Sequence, residues 1–109
     1  MATAYKILGQ TGDASANDVT LYTVPSSTET IVSSIVVCNR EAADNTFRIA
    51  AKANGGSVAN EDYLAFDTTI SANDTVPLTL GITLDATDII SVGASDANVS
   101  FSAFGSEIS

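Results

Sequence analysis

Residues 75–84 restrict the fold of this chain more than any other stretch. Val76, Leu78, Leu80, Ile82 and Leu84 alternate there with Thr75, Pro77, Thr79, Gly81 and Thr83. A period of two sends the apolar side chains to one side of a pleated strand, whereas a helix would scatter them around its circumference. The segment therefore reads as a single strand with one buried and one wet face. Pro77 falls on the wet face and has no N–H to offer a neighbour, which marks the strand as a sheet edge or the site of a bulge.

The same alternation recurs along the chain. In residues 46–52, Phe47, Ile49 and Ala51 oppose Arg48 and Lys52, and in residues 99–103, Val99, Phe101 and Ala103 oppose Ser100 and Ser102. Residues 30–38 differ, being apolar on both faces except at Ser33 and Ser34. That pattern predicts a central strand covered on both sides, or one whose outer face meets another subunit. Residues 5–8, 19–24, 63–66 and 88–92 complete a set of about eight short strands. Clusters of Gly, Asn, Asp, Ser and Pro separate them at residues 9–18, 25–27, 39–45, 54–56, 71–74, 85–88 and 95–98. The Ala-rich piece at 48–53 could be helical on propensity, but it runs into Asn54-Gly55-Gly56 and reads as a strand entering a turn. No segment carries apolar residues at helical spacing over successive turns. The expected fold is all-β: one antiparallel β-sandwich spanning residues 1–109 as a single domain, jelly-roll or immunoglobulin-like.

Charge excludes several kinds of partner. The chain has 13 acidic and 4 basic residues, a net charge of −9. The basic residues are Lys6, Arg40, Arg48 and Lys52. Nucleic-acid binding draws on Lys and Arg contacts to phosphate, and a surface this acidic repels DNA, RNA and anionic lipid. No stretch approaches the length of a membrane span, and the N-terminal residues lack the apolar run of a secretory signal, so a soluble protein made in a cytoplasm is expected.

Catalytic chemistry finds little support. The chain has no His, which removes the usual base of serine and cysteine triads and the commonest zinc ligand. Cys38 is the only cysteine, so no intrachain disulfide can form. Beside Ile35, Val36 and Val37 it reads as a small buried hydrophobe, since a reactive thiol needs a stronger electropositive setting than Arg40 alone supplies. Acidic pairs at Asp13 and Asp18, Glu61 and Asp62, and Asp85 and Asp88 could hold calcium, but none has EF-hand spacing, and Asp in turns bonds to its own backbone in any case. The glycines form no phosphate-binding loop. No cofactor and no enzymatic activity are expected.

Surface contacts remain. Tyr5, Tyr22 and Tyr63 could stack on a sugar or anchor a partner, although capping an edge of the sandwich would occupy them equally well. Faces rich in Thr, Ser, Ala and Val with few charges pack readily against copies of themselves, so a homo-oligomer is expected. The terminal segments are the freest to engage a neighbour. The candidate interface residues are Ala4, Tyr5, Ile7 and Leu8 at one end and Phe104 and Ile108 at the other.

Three stretches carry a family resemblance. The first is Tyr5-Lys6-Ile7-Leu8-Gly9-Gln10 followed by Leu21-Tyr22-Thr23-Val24-Pro25. The second is Ser33-Ser34-Ile35-Val36-Val37-Cys38-Asn39-Arg40 with Thr46-Phe47-Arg48-Ile49-Ala50. The third is Leu78-Thr79-Leu80-Gly81-Ile82-Thr83-Leu84 with Ser100-Phe101-Ser102-Ala103-Phe104-Gly105-Ser106-Glu107. Together they resemble a family of small virion proteins of tailed bacteriophages, of the kind found in phages of cyanobacteria. The resemblance implies a β-sandwich virion component, assembled in the host cytoplasm, whose partners are major capsid or tail proteins and further copies of itself. It implies no site residues. An oligomeric capsid decoration protein is the leading expectation. A tail or fibre component contacting a host glycan is the alternative, and a stand-alone carbohydrate- or calcium-binding module is a third.

Overall fold

The computed structural model describes residues 2–16 and 18–109; Met1, which opens the N-terminal segment, and Asn17, in the first turn cluster, lie outside the described residues. The strands are β1 (Thr3–Thr11), β2 (Val19–Thr23), β3 (Glu29–Asn39), β4 (Asn45–Lys52), β5 (Tyr63–Ile70), β6 (Thr75–Leu78), β7 (Ile82–Leu84), β8 (Ile89–Ala94) and β9 (Val99–Ile108). A single 3-10 turn, Asn60–Asp62, precedes β5.

Pairing is antiparallel throughout and nested. β1 pairs with β9, β2 with β8, β3 with β6 and β7, and β4 with β5. The chain thus doubles back on itself about the β4–β5 connection. The doubled ribbon then wraps, so that β9 also pairs with β3 and β8 with β4. Two sheets result: sheet I in the order β1-β9-β3-β6, with β7 also on β3, and sheet II in the order β2-β8-β4-β5. An immunoglobulin sandwich does not pair its first strand with its last in this nested way, so the sandwich is a jelly roll.

The core lies between the inner faces. Val32, Ile35, Val37, Val99, Phe101 and Ala103 of sheet I meet Leu21, Phe47, Ile49, Ile70, Ile90, Val92 and Ala94 of sheet II. β-branched residues dominate because they suit the crowded surface of a pleated sheet. Phe47 and Phe101 bridge the sheets edge to face, with centroids 6.3 Å apart. Residues in direct register share a face of a sheet. The alternation of buried and exposed positions therefore fixes which way every strand residue points.

The structure corrects two expectations. Residues 75–84 form two strands, and the total among the described residues is nine. Leu78 pairs with Ile35 and Ile82 with Val32, so four steps along this edge match three along β3. The surplus residue is expelled at Thr79-Leu80-Gly81, where Gly81 takes φ +62° and Leu80 is left 46% exposed. The remaining alternation holds. Val76, Leu78 and Ile82 pack against the core, Leu84 is buried, and Pro77 is exposed on an edge strand.

The second correction concerns Cys38, which is half-exposed. On β3, Thr30, Val32, Ile35, Val37 and Asn39 point inward and are buried. Glu29, Ile31, Ser33, Val36 and Cys38 point outward, and none of them is buried. β3 is central in its sheet, yet its outer face is not covered by the described chain.

Candidate assembly surface

The outer face of sheet I follows row by row from the register. Tyr5, Ser106, Ile31 and Thr83 form one row across β1, β9, β3 and β7. Next come Ile7, Phe104 and Ser34, then Gln10, Ser102, Val36 and Pro77, then Ser100, Cys38 and Thr75. Thr3, Ile108 and Glu29 close the opposite end. The rows hold one charged side chain, Glu29, in a chain with 17 charged residues (13 acidic and 4 basic). The apolar members stand well into solvent: Tyr5 is 85% exposed, Ile7 51% and Ile31 42%.

Two bulges shape this face. Both neighbours of β9 carry an extra residue beside Phe104, Leu8 on β1 and Ser33 on β3. Ser33 Oγ donates to the Phe104 carbonyl at 3.1 Å. A groove of about 360 Å³ opens there between Tyr5, Lys6, Ile31, Ser33, Phe104, Gly105 and Ser106, with Lys6 at its edge held by Glu107.

Of the interface residues expected from sequence, Tyr5, Ile7, Phe104 and Ile108 come together on this face. Ala4 and Leu8 do not. Ala4 shares the inner row with Glu107 and Thr30, and Leu8, in the bulge, packs against the core. Sequence reasoning missed Ile31, Val36 and Cys38 as members of the surface. Their signal was the two-sided apolar run of residues 30–38.

A polar cluster anchors the edge of the face from beneath. Tyr22 Oη lies 2.8 Å from Thr30 Oγ1 and donates to Glu107, whose other oxygen receives Lys6 Nζ at 3.1 Å. The hydrogen bond from Tyr22 holds the Glu107 carboxyl below its usual range against the opposing effect of burial, and Lys6 adds to the depression. Burial, reinforced by Glu107, pushes the Tyr22 phenol up to about 12. β1, β2, β3 and β9 are thereby tied together, and Lys6 is already engaged.

The other sheet presents a different outside. Ile89, Ser91 and Gly93 of β8 point outward yet are buried, and the β4–β5 connection lies beside Ile89 and Ser91, with Gly55 approaching Ile89. The uncovered part carries Arg48, which donates to Asp67 at 2.6 Å and sits 4.1 Å above the Phe66 ring. Tyr63 meets the same ring edge to face at 4.9 Å.

The three tyrosines thus have three fates: buried in the core at Tyr22, packed on an aromatic neighbour at Tyr63, and free on the open face at Tyr5. Most strand edges are guarded: β6 by Pro77, β5 by a bulge with Asp67 at φ 50°, and β1 and β2 by bulges at Leu8 and Leu21, while the edge at β7 is only three residues long. Such devices discourage edge-to-edge pairing and leave faces as the route of association.

The acidic loops serve their own backbone. Asp13 accepts from Ser15 N–H, Asp44 from Ala72, Asp62 from Ala59, Asp85 from Ala86, and Asp88 from both Asn54 and Asp85. Among the described residues no group of three or more His, Cys, Asp or Glu converges as a metal site would require. A groove of about 490 Å³ between Ser27, Glu29, Asp85 and Ile108 is open; it brings the Glu29 and Asp85 carboxylates to one rim but no histidine or cysteine beside them.

No family model and no curated protein sequence matches the chain. Its fold is similar to part of a chain in the crystal structure of the T13 viral particle of IBDV, with a TM-score of 0.52 and 12% identity over 96% of this chain and 30% of that one. A chain of the infectious bursal disease virus Gx strain aligns over 97% of this chain and 30% of its own length at 16% identity and a TM-score of 0.48. This chain therefore spans about a third of each, and at such identity the first likeness is one of fold.

Proposed function

We propose that this chain is a structural subunit of a virus particle, without catalytic activity of its own. The observation that carries the reading is the jelly roll itself, similar along nearly the whole chain to part of a viral-particle chain. Jelly rolls serve capsids, lectins and small-ligand enzymes alike, so fold alone is an analogy. The site supplies the rest: an open face almost without charge, acidic loops occupied by backbone, and no metal-holding cluster among the described residues.

The sequence resemblance narrows the reading to a tailed-bacteriophage particle, with an oligomer bound outside the capsid and stabilising it. Its mechanism is interface burial, repeated at symmetric lattice positions so that a modest contact per copy is multiplied. Quantitative mass spectrometry of purified particles tests this through the copy number relative to the major capsid protein. A ratio near one, or a simple fraction such as roughly one-third, is expected for a lattice-bound decoration. Absence from the particle refutes the reading.

A tail or fibre subunit contacting host glycan is the second reading, and the exposed Phe66 favours it. Sugar stacking needs a free aromatic face, however, and Arg48 lies over the Phe66 ring while Tyr63 packs against it. A copy number far below that of the capsid protein would move the assignment to the tail.

A further inference from the structure

We propose that the outer face of sheet I is a self-complementary surface on which a second copy of this chain docks about a two-fold axis, the Tyr5 ring of each copy entering the groove of the other. The proposal rests on the reading of the chain as an oligomeric particle subunit and specifies the contact that makes the oligomer.

Charge favours a second copy as the occupant. Ten of the 13 acidic residues lie in connections between strands, leaving Glu29, Asp67 and Glu107 within them. Two bodies of charge −9 repel in most orientations. On the outer face of sheet I the single acid, Glu29, sits in the end row beside Ile108, and the one cation that borders the groove, Lys6, is paired with Glu107. A basic partner would be drawn to the acidic loops, whereas a second copy finds this face the least repulsive approach.

Shape favours it as well. A two-fold contact uses the same patch on both subunits, so that patch must hold a knob and a hole together. Tyr5, 85% exposed, is the knob. The groove beside it, about 360 Å³ and floored by the small Ser106 between Tyr5 and Ile31, is the hole. A tyrosine brings a large apolar ring and a polar tip at little entropic cost, which suits it to anchor an interface. Phe104 and Ile31 supply an apolar wall for the incoming ring, and Ser33, Ser34 and Ser106 can receive its hydroxyl.

The face is also large enough. Four strand widths of about 4.8 Å and a length of some ten residues give a face of roughly 600 Å² per copy. That is roughly 1,200 Å² in total, the lower end of stable interfaces. Mostly guarded edges and the short β7 disfavour the competing route, and the outer face of sheet II is partly closed by its own chain.

Sedimentation velocity of the purified full-length protein across a concentration series tests the assignment. The wild type is expected to be a dimer at micromolar concentration. Tyr5→Glu and Ile31→Glu, at positions already open to solvent, are each expected to weaken dimerisation at least a hundredfold. Thr69→Glu, which adds the same charge to the exposed β5, is expected to leave it unchanged. Circular dichroism and melting temperature confirm that each variant is folded, and the milder Tyr5→Ser replaces any that is not. A wild type that stays monomeric at every concentration overturns the proposal, as does a dimer that survives both face substitutions. Copy number in particles is an independent measurement. A Tyr5-dependent dimer absent from particles refutes the particle reading alone, and a monomer present at a fixed lattice ratio refutes the docking surface alone.

Discussion

Asn39 offers the sharpest test of how this sandwich is held together. It is 1% exposed at the end of β3 and uses its whole amide. Nδ2 donates to the Ala43 carbonyl at 2.8 Å and the Ser71 carbonyl at 3.1 Å, with Ile70 more distant at 3.4 Å. Oδ1 accepts from the Glu41 N–H and from Asn45 Nδ2, each at 3.1 Å. Asn45 Oδ1 in turn accepts from Ser95 Oγ at 3.0 Å. One side chain thus fastens the β3–β4, β5–β6 and β8–β9 connections. Asn39→Ala strips partners from several of these groups at once. Water can reach those at the rim, but the Ile70 carbonyl and Asn45 amide stay buried. At 1–3 kcal/mol for each buried group left unsatisfied, the cost is about 3 kcal/mol. For a domain of this size that lowers the melting temperature by roughly 12–20 °C.

Asn39→Asp should be worse at neutral pH. A carboxylate oxygen would then face the Ala43 and Ser71 carbonyls, and its pKa in the folded state would rise. A raised carboxylate pKa favours folding only in acid, so that variant should gain on wild type as pH falls from 7 toward about 4. Urea denaturation read by circular dichroism measures both variants. A loss below 1 kcal/mol for Asn39→Ala would refute the claim that this amide fastens the three connections.

Tyr22→Phe removes a buried hydroxyl bonded to a carboxylate and should cost about 1–2 kcal/mol near neutrality, read from the denaturation midpoint. The depressed Glu107 pKa stabilises the fold above the unfolded glutamate value of 4.5, and that contribution should vanish as pH falls through the lower folded value. The raised Tyr22 pKa works oppositely, so wild type should lose stability between pH 10 and about 12, and Tyr22→Phe should flatten that limb. A Cβ on Gly9 would collide with the Leu21 carbonyl, and one on Gly105 with the Ile31 carbonyl. Gly9→Ala and Gly105→Ala should therefore each lower stability by more than about 2 kcal/mol in calorimetry. Leu80→Ser should be nearly neutral, within about 0.5 kcal/mol, while Leu84→Ala costs about 2–3 kcal/mol, although strict alternation would make the two equivalent. Because the proposed dimer joins two acidic bodies through an uncharged face, raising NaCl from 50 to 500 mM should tighten it in sedimentation equilibrium, and weakening would point to an ionic contact instead.

Strand identity was legible wherever one face is buried, because period two is imposed by the core. Phe47 and Ile49, Val99 and Phe101, and Val76 and Leu78 all point where their alternation says. The jelly-roll order was not legible, since nested pairing of β1 with β9 depends on contacts between the chain's two ends, and local pattern carries no record of them. The break at Leu80 was hidden for a related reason. Alternation continues through it, and only the register of β3 reveals the surplus residue. Asn39 read as the start of a turn, as Asn commonly does. Its burial arises from three connections converging on one end of the sandwich, which sequence spacing cannot express.

The open face of sheet I was half legible, and the missing half is instructive. Residues 30–38 were apolar on both sides, which sequence could explain by cover from the same chain or by another subunit. The fold removes the first explanation for the described residues: Ile31, Val36 and Cys38 face outward with no layer above them. Sheet II shows what cover looks like in this molecule, where the outward Ile89 and Ser91 are buried beside the β4–β5 connection. The chain has thus spent its long connection on one sheet and left the other bare. An uncharged face with an exposed tyrosine, on a chain whose acids gather in its loops, is costly to leave in water and ill suited to a charged partner. It is the same surface that acidic copies can share without bringing their loops together. Solubility before assembly and selectivity during it would then come from one distribution of charge, repulsive nearly everywhere and neutral where contact is needed.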